Sequence, residues 1–393
     1  MTRSPYKFST LTSLSNIPST AWDEIAGRDN PFLSYAYLQA LEEAECVGGR
    51  SGWHPFHLLC RDETDAVIGA APCYIKAHSQ GEYVFDQGWA QAYQRAGGDY
   101  YPKLQVSVPF TPATGPRLLA RGQDIGIKTA LADALKSSCL QHNCSSVHIT
   151  FAEDDDHKIL CAQGYLERHD QQFHWFNEGY SCYDDFLQSL QSRKRKAIKK
   201  ERQNARESGL EIRPLTGSDL TEEVWDAFYL FYMETGSRKW GRPYLNRQFY
   251  SLIGKTKRDQ ILLVMAYRGK TPIAGAINFI GSETLYGRHW GAIEYHPFLH
   301  FELCYHQAIE FAISQGLKKV EAGAQGEHKL ARGYRPVTTK SAHFIADPAL
   351  REAVADYLVK ERRHIAMLHD ELEDHAPFRK ISIETVQPDE WED

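Results

Sequence analysis

Short apolar runs separated by polar turns recur in two stretches of this chain that match each other. In the first, residues 57–61, 66–72 and 82–85 read as three strands, with Trp89 just beyond. In the second, residues 262–268, 271–277 and 284–287 repeat the pattern, with Trp290 beyond. The intervening residues 62–65, 79–81, 269–270 and 281–282 are Asp, Glu, Thr, Ser, Gln, Gly and Lys, the chemistry of tight turns. A helical period then takes over. It predicts helices at 125–141 and 301–315 after the meanders and at 35–45 and 222–235 before them, with strands at 146–151 and 319–322. Each half reads α-β-β-β-α-β. The offset of roughly 205 residues is too long for a solenoid repeat and suits a duplicated domain. Hairpins followed by a crossover helix predict an α/β fold: two tandem domains, each a mixed, mostly antiparallel sheet with helices on both faces.

The junction is expected within 177–221. Phe186, Leu187, Leu190, Ala197 and Ile198 mark a helix over 184–207, and Gly209 supplies its stop. A final helix or helix pair is expected over 347–372, and a charged tail follows Pro377. The expected division is a first domain at 1–180, a basic linker helix within 181–220, and a second domain at 221–393 that ends in the last helix and the tail.

Length and composition fit this division. The chain has 393 residues, 42% of them apolar, which is ample for two cores. A net charge of −6 argues against wholesale nucleic-acid or membrane binding. The run Arg193-Lys194-Arg195-Lys196-Ala197-Ile198-Lys199-Lys200 is a local exception. Without interleaved aromatic residues it offers a phosphate backbone charge rather than stacking. The eight cysteines contain no C-x-x-C pair, which argues against a zinc motif and a disulfide framework. No secretory leader and no membrane-length apolar run is read, so the expected location is cytoplasmic.

Chemistry concentrates in the second half. The segment 321–329 leaves a strand carrying Glu321, Gln325, Glu327, His328 and Lys329 among two glycines, a polar density beyond what a turn requires. Arg288, His289 and Trp290 end a strand, and His300, Glu302, Tyr305 and His306 lie on the following helix. These three segments are expected to converge at one sheet end. Glu302, Glu327, His328 and His300 are the candidate acid–base groups. Arg288, His289, Trp290, Tyr305, His306, Glu321, Gln325, Lys329 and Arg332 are the candidate substrate contacts. Glu302 and His306, four apart, also read as an ordinary solvated pair. His300, Glu302, His306 and His328 lack a metal-binding spacing, and no metal is expected. Tyr83, Phe85, Tyr100 and Tyr101 are expected to pack the first sheet, whereas Asp86 and Lys103 receive no role.

Several motifs carry a family likeness: Asn30-Pro31-Phe32-Leu33-Ser34-Tyr35, Gly81-Glu82-Tyr83-Val84-Phe85-Asp86, Tyr101-Pro102-Lys103-Leu104, Val108-Pro109-Phe110-Thr111-Pro112 with Gly115-Pro116-Arg117, and Leu299-His300-Phe301-Glu302 with Cys304-Tyr305. Together with the 323–329 loop and Arg332-Gly333 they resemble the GNAT acyltransferase fold present twice. Residues 30–343 are similar to the FemAB-like family. The resemblance implies an N-acyltransferase that moves an acyl group from acyl-CoA, or an aminoacyl group from aminoacyl-tRNA, to a small-molecule amine acceptor in cell-wall precursor metabolism. It also implies tRNA as a partner of the basic helix at 193–200. GNAT enzymes hold the CoA pyrophosphate with an R/Q-x-x-G-x-G/A loop at a helix start. Gln123 and Gly126 fit its opening positions, and Lys128 departs from its last. The second half has no glycine there. A non-catalytic binding protein on the same scaffold, recognising a peptidoglycan precursor or a carboxylated metabolite, is the alternative reading.

Overall fold

The computed structural model describes residues 6–207, 209–240, 243–323 and 326–379. The first half comprises β1 (Lys7–Leu11), α1 (Ser19–Ala26), α2 (Tyr35–Glu43), β2 (Trp53–Pro55), β3 (His57–Arg61), β4 (Val67–Ala71), β5 (Cys73–Lys76), α3 (Gln87–Arg95), β6 (Lys103–Val106), β7 (Leu119–Ala120), α4 (Ile125–Gln141), β8 (Ser146–Ala152), α5 (Asp154–Ala162) and β9 (Leu166–Phe176). Two helices, α6 (Tyr183–Ser189) and α7 (Ser192–Glu207), lead into the second half. There follow β10 (Glu211–Leu215), α8 (Glu222–Trp240), α9 (Arg247–Thr256), β11 (Ile261–Arg268), β12 (Thr271–Ile280) and β13 (Thr284–Ala292). Then α10 (Leu299–Phe301) runs through a π-helical turn, Glu302–His306, into α11 (Gln307–Ser314). The last described elements are β14 (Lys319–Glu321), a 3-10 segment Glu327–Arg332, β15 (Arg335–Ile345) and α12 (Pro348–Asp374).

Among the described residues, eleven strands form one sheet in the order β10-β11-β12-β13-β14-β9-β15-β8-β6-β5-β2, and β1-β3-β4-β7 form a smaller one. Two pairs in the large sheet are parallel, β13 with β14 and β6 with β8. Each needs a crossover, supplied by α10–α11 and by α4. The centre of the sheet is shared between the halves. β9 pairs antiparallel with β14 on one side and β15 on the other, and β15 also pairs with β8. Thus the last strand of the second half lies between the last two strands of the first.

The second-half core shows why its strands read so clearly. Along β11, Ile261, Leu263, Met265 and Tyr267 face α8 and α9, where Trp225, Phe228, Phe249 and Tyr250 are buried. Leu262, Val264 and Ala266 face the opposite side, with Leu303, Ile309 and Ala312. A strand covered on both faces is a continuous apolar run. The predicted helix at 125–141 matches α4 because Asp124 caps it, accepting from Ile127 N at 3.0 Å.

Three expectations are corrected. Residues 82–85 are not a strand: Tyr83 has φ 62°, Phe85 is 61% exposed, and the chain turns there into α3. The Tyr-Val-Phe run mimicked a strand, but β6 is the strand in that place. The helix at 184–207 is two helices, because Leu190 is extended (ψ 154°) and bridges to Phe378. The helix at 301–315 starts earlier and contains the π turn. The tail read beyond Pro377 lies, from residue 380, outside the described residues.

Candidate functional site

β14 pairs with β13 only from Thr284↔Lys319 to Tyr286↔Glu321, yet β13 continues to Ala292. The two strands part where β13 bulges. Gly287 pairs with Asn278 and His289 with Ile277, so Arg288 is the extra residue. A Cβ on Gly287 would stand 3.4 Å from the Glu321 carbonyl oxygen, so the strands are in close contact just before they diverge. Beyond Tyr286, β13 has no ladder partner in β14, and the Ala292 N–H is taken by Thr235 Oγ1 of α8 at 3.3 Å. Trp290 meets α10, which leads into the π turn and faces the segment 326–332 through His300 and His328.

These segments bring several predicted side chains together. The Trp290 and His300 rings are 5.2 Å apart, His300 and Tyr305 5.5 Å, and His300 and His328 6.1 Å. Tyr305 Oη and His328 Nε2 share a hydrogen bond of 3.0 Å, and Phe301 stands 5.3 Å from the His328 ring. His328 is exposed, whereas Tyr305 is buried. Gly326 makes this placement possible: its φ is 101°, and a Cβ there would meet the His328 ring at 2.2 Å. Lys329 is buried, donates to the Gly323 carbonyl at 2.9 Å, and is pushed down to about 8 by desolvation. Gln325 and the Glu327 side chain lie outside the described residues.

Glu302 and His306 are neither solvated nor paired with each other. Both are fully buried and tied to α7. Arg202 forks onto Glu302, with Nε at 3.0 Å from Oε2 and Nη2 at 2.8 Å from Oε1, and also holds Glu310 at 2.6 Å. Burial opposes ionisation of Glu302, but Arg202 outweighs it and the net shift is downward. His306 Nδ1 meets Tyr183 Oη at 2.7 Å and its Nε2 meets Glu201 at 2.8 Å; desolvation lowers its pKa. Glu201 also takes Arg332 through two bonds, of 2.9 and 2.5 Å. Arg332 in turn donates to the His328 carbonyl at 2.6 Å and lies 3.4 Å over the Phe301 ring. On α7 and α6, Arg202 also lines a cleft of about 400 Å³ with Lys199, Arg206, Asp184 and Glu207.

Arg288 turns toward the first half. Its Nη2 donates to the Phe110 carbonyl at 2.5 Å and it bonds Tyr83; its buried Nε has no hydrogen-bond partner among the described residues. Tyr83 and Phe110 both have left-handed backbones, φ 62° and 57°, conformations that cost energy in non-glycine residues. Tyr244 stacks on Phe110 at 4.8 Å. His289 packs on Tyr232 at 4.9 Å, and desolvation with the Arg288 charge pushes it down to about 3. Glu321 is buried against Lys319 at 2.7 Å, with His174 of β9 4.0 Å away.

Gln123 and Gly126 lie elsewhere, at the start of α4. That terminus is filled by the Asp124 carboxylate, 3.0 Å from where a Gly126 Cβ would stand. Lys128 is engaged by Asp156 at 2.8 Å and Glu153 at 3.5 Å. An incoming pyrophosphate would meet these carboxylates.

The sequence reading missed Glu201, Arg202 and Tyr183. A signal existed: Ile198 and Ala205, both buried, are seven apart and bracket positions 201 and 202 on one helix face. It also left Lys103 without a role. Lys103 is fully buried and donates to Ser79 at 2.9 Å, to Glu82 at 2.7 Å and to Asp86, pinning both ends of the turn that presents Tyr83.

The sequence model of a family described as FemAB-like, peptidoglycan biosynthesis/recognition, matches residues 13–380. Among solved structures, FemX aligns with a TM-score of 0.54 at 11% identity over 89% of this chain and 100% of its own. A conserved protein of unknown function from Bacteroides thetaiotaomicron aligns at 0.51 and 12% identity, over 86% and 99%. L-PGS from Bacillus licheniformis aligns at 0.50 and 10% identity, over 85% and 98%. No curated protein sequence matches the chain. At such identities the structural likeness concerns the fold.

Proposed function

Since the chain belongs to the FemAB-like family and folds as tandem GNAT-like units, we propose that it is an N-acyltransferase whose site is the gap between β13 and β14. The observation that carries this reading is the parting of the two strands at the Arg288 bulge, with His300, Tyr305 and His328 gathered beside the gap. Peptide N–H groups along a diverging strand edge are fixed donors for the carbonyl oxygen of an acyl donor and for the oxyanion that follows. The acceptor amine attacks the carbonyl carbon, and His328, exposed at the mouth, takes the amine proton. Collapse of the tetrahedral intermediate breaks the thioester C–S or the aminoacyl ester C–O bond. Tyr305, bonded to His328, returns a proton to the departing thiol or ribose hydroxyl.

Both donors fit the reading, acyl-CoA and aminoacyl-tRNA. The acidic setting of α4 in the first half is a poor place for the CoA pyrophosphate, and the exposed cations of α7 beside the second-half site favour tRNA. The acceptor is an amine of a cell-wall precursor. The working division remains 1–180, the linker within 181–220, and 221–393, with the strands of the two units interleaved.

The test incubates the full chain with labelled acetyl-CoA, or with charged tRNA, and amine-bearing precursor peptides. Transfer is expected from one donor. His328→Ala should lower kcat by about 100-fold and Tyr305→Phe by about tenfold. Unaltered turnover in both variants would remove the assignment. Saturable binding without transfer from either donor would leave the non-catalytic reading, which the commitment of Glu302 to Arg202 and of His306 to Tyr183 and Glu201 favours.

A further inference from the structure

A second constellation lies far from this site, where α5 folds back onto β9. Gly164, with φ 80°, makes the tight turn between them. His157 and Cys161, four apart, share one face of α5, and Glu167 and His169, two apart, share one face of β9. The faces meet. His157 Nε2 is 3.7 Å from the Cys161 sulfur and 3.8 Å from Glu167 Oε1, and one donor atom from each of the three residues lies within 4.8 Å of the others. Ligands around a tetrahedral zinc stand roughly 3.3–3.6 Å apart, given bonds of about 2.0–2.3 Å. Small side-chain adjustments close that difference.

We propose that His157, Cys161 and Glu167 form a divalent-metal site, with zinc as its ion. The donor set decides the class of ion. A thiolate, an imidazole and a carboxylate suit a borderline ion such as zinc and not calcium or magnesium, which take all-oxygen shells. His169 Nε2, 2.9 Å from Glu167 Oε1, orients that carboxylate in the manner of an outer-shell partner. The neighbouring cations are already engaged. Lys340 is held by Asp154 at 2.9 Å, and Arg362 of α12 approaches the other Glu167 oxygen, Oε2, at 3.8 Å while donating to the Glu167 carbonyl at 2.6 Å. Oε1, which His169 meets at 2.9 Å, has a second lone pair for the ion. A water completes the shell, and Cys161 binds as thiolate, its proton passing to solvent. The ligands come from two elements rather than one loop, so no C-x-x-C pair marks the site. The ion would staple α5 to β9, the strand that the two halves share.

Full-length, tag-free protein is stripped with chelator and titrated with cobalt(II) and with zinc(II). One equivalent of zinc should bind by plasma mass spectrometry and raise Tm. Cobalt should give tetrahedral visible bands and a near-ultraviolet thiolate charge-transfer band. Cys161→Ser should abolish the charge-transfer band, His157→Asn should lower zinc affinity at least about tenfold, and His169→Ala should weaken it less. Cys182→Ser, at an exposed cysteine outside the cluster, should change neither. A cobalt complex without the thiolate band, or zinc binding that survives Cys161→Ser and His157→Asn undiminished, overturns the proposal. Should a variant fail to fold, the wild-type cobalt spectrum alone decides.

Discussion

Glu302 shows how far a side chain's type can mislead about its work. A glutamate four residues before a histidine on a helix invites the role of general base. In the folded chain the π turn directs both groups inward, and Arg202 holds the carboxylate. Replacing Glu302 with Gln leaves a buried guanidinium with only Glu310 as its charge partner, so the change should cost about 3 kcal/mol of stability. Chemical denaturation of the variant measures this; an unchanged midpoint would refute the structural role. Other residues were readable because their surroundings are local. The meeting of Trp290, His300 and His328 follows from the order of strand, helix and loop. For Glu201 the helix period marked the inward face, but not its partners, His306 and Arg332, which lie more than a hundred positions away.

Among the elements, α7 joins two surfaces. Glu201 and Arg202 on its inner face grip the π turn and the segment that carries His328, while Arg193, Lys196, Lys199 and Lys200 on its outer face are exposed. A polyanion held outside therefore sits one helix away from the proposed chemistry. The double change Lys196→Glu with Lys200→Glu should lower affinity for charged tRNA by about tenfold and make the dependence of log K on log salt shallower. Filter binding at several salt concentrations measures both, and an unchanged slope would release the helix from that duty. Elements with strong caps and long periods were legible, α4 above all. The turn at Tyr83 was not, because three consecutive aromatic and β-branched residues, Tyr83, Val84 and Phe85, carry a strand's composition whether or not a neighbour is available to pair with them.

For the whole molecule, duplication was written in the sequence and strand exchange was not. A strand's side-chain pattern says which faces are buried, without saying which strands flank it. β15 finds both of its neighbours, β8 and β9, in the other half. Residues 221–393 made alone should therefore show no cooperative thermal transition, and the intact chain should show a single one. Calorimetry distinguishes this from two independent melts, which would mean that each half stands by itself.

The shared centre of the sheet also sets a timetable for synthesis. On the ribosome β8 and β9 are complete by residue 176, yet the strand that fits between them begins at residue 335. Throughout that interval β8 lacks a partner on one edge, and β9, whose other neighbour β14 comes only at residues 319–321, lacks partners on both. Such edges attract other nascent chains, so the cell must shield them, or translate quickly enough, until the closing strand arrives.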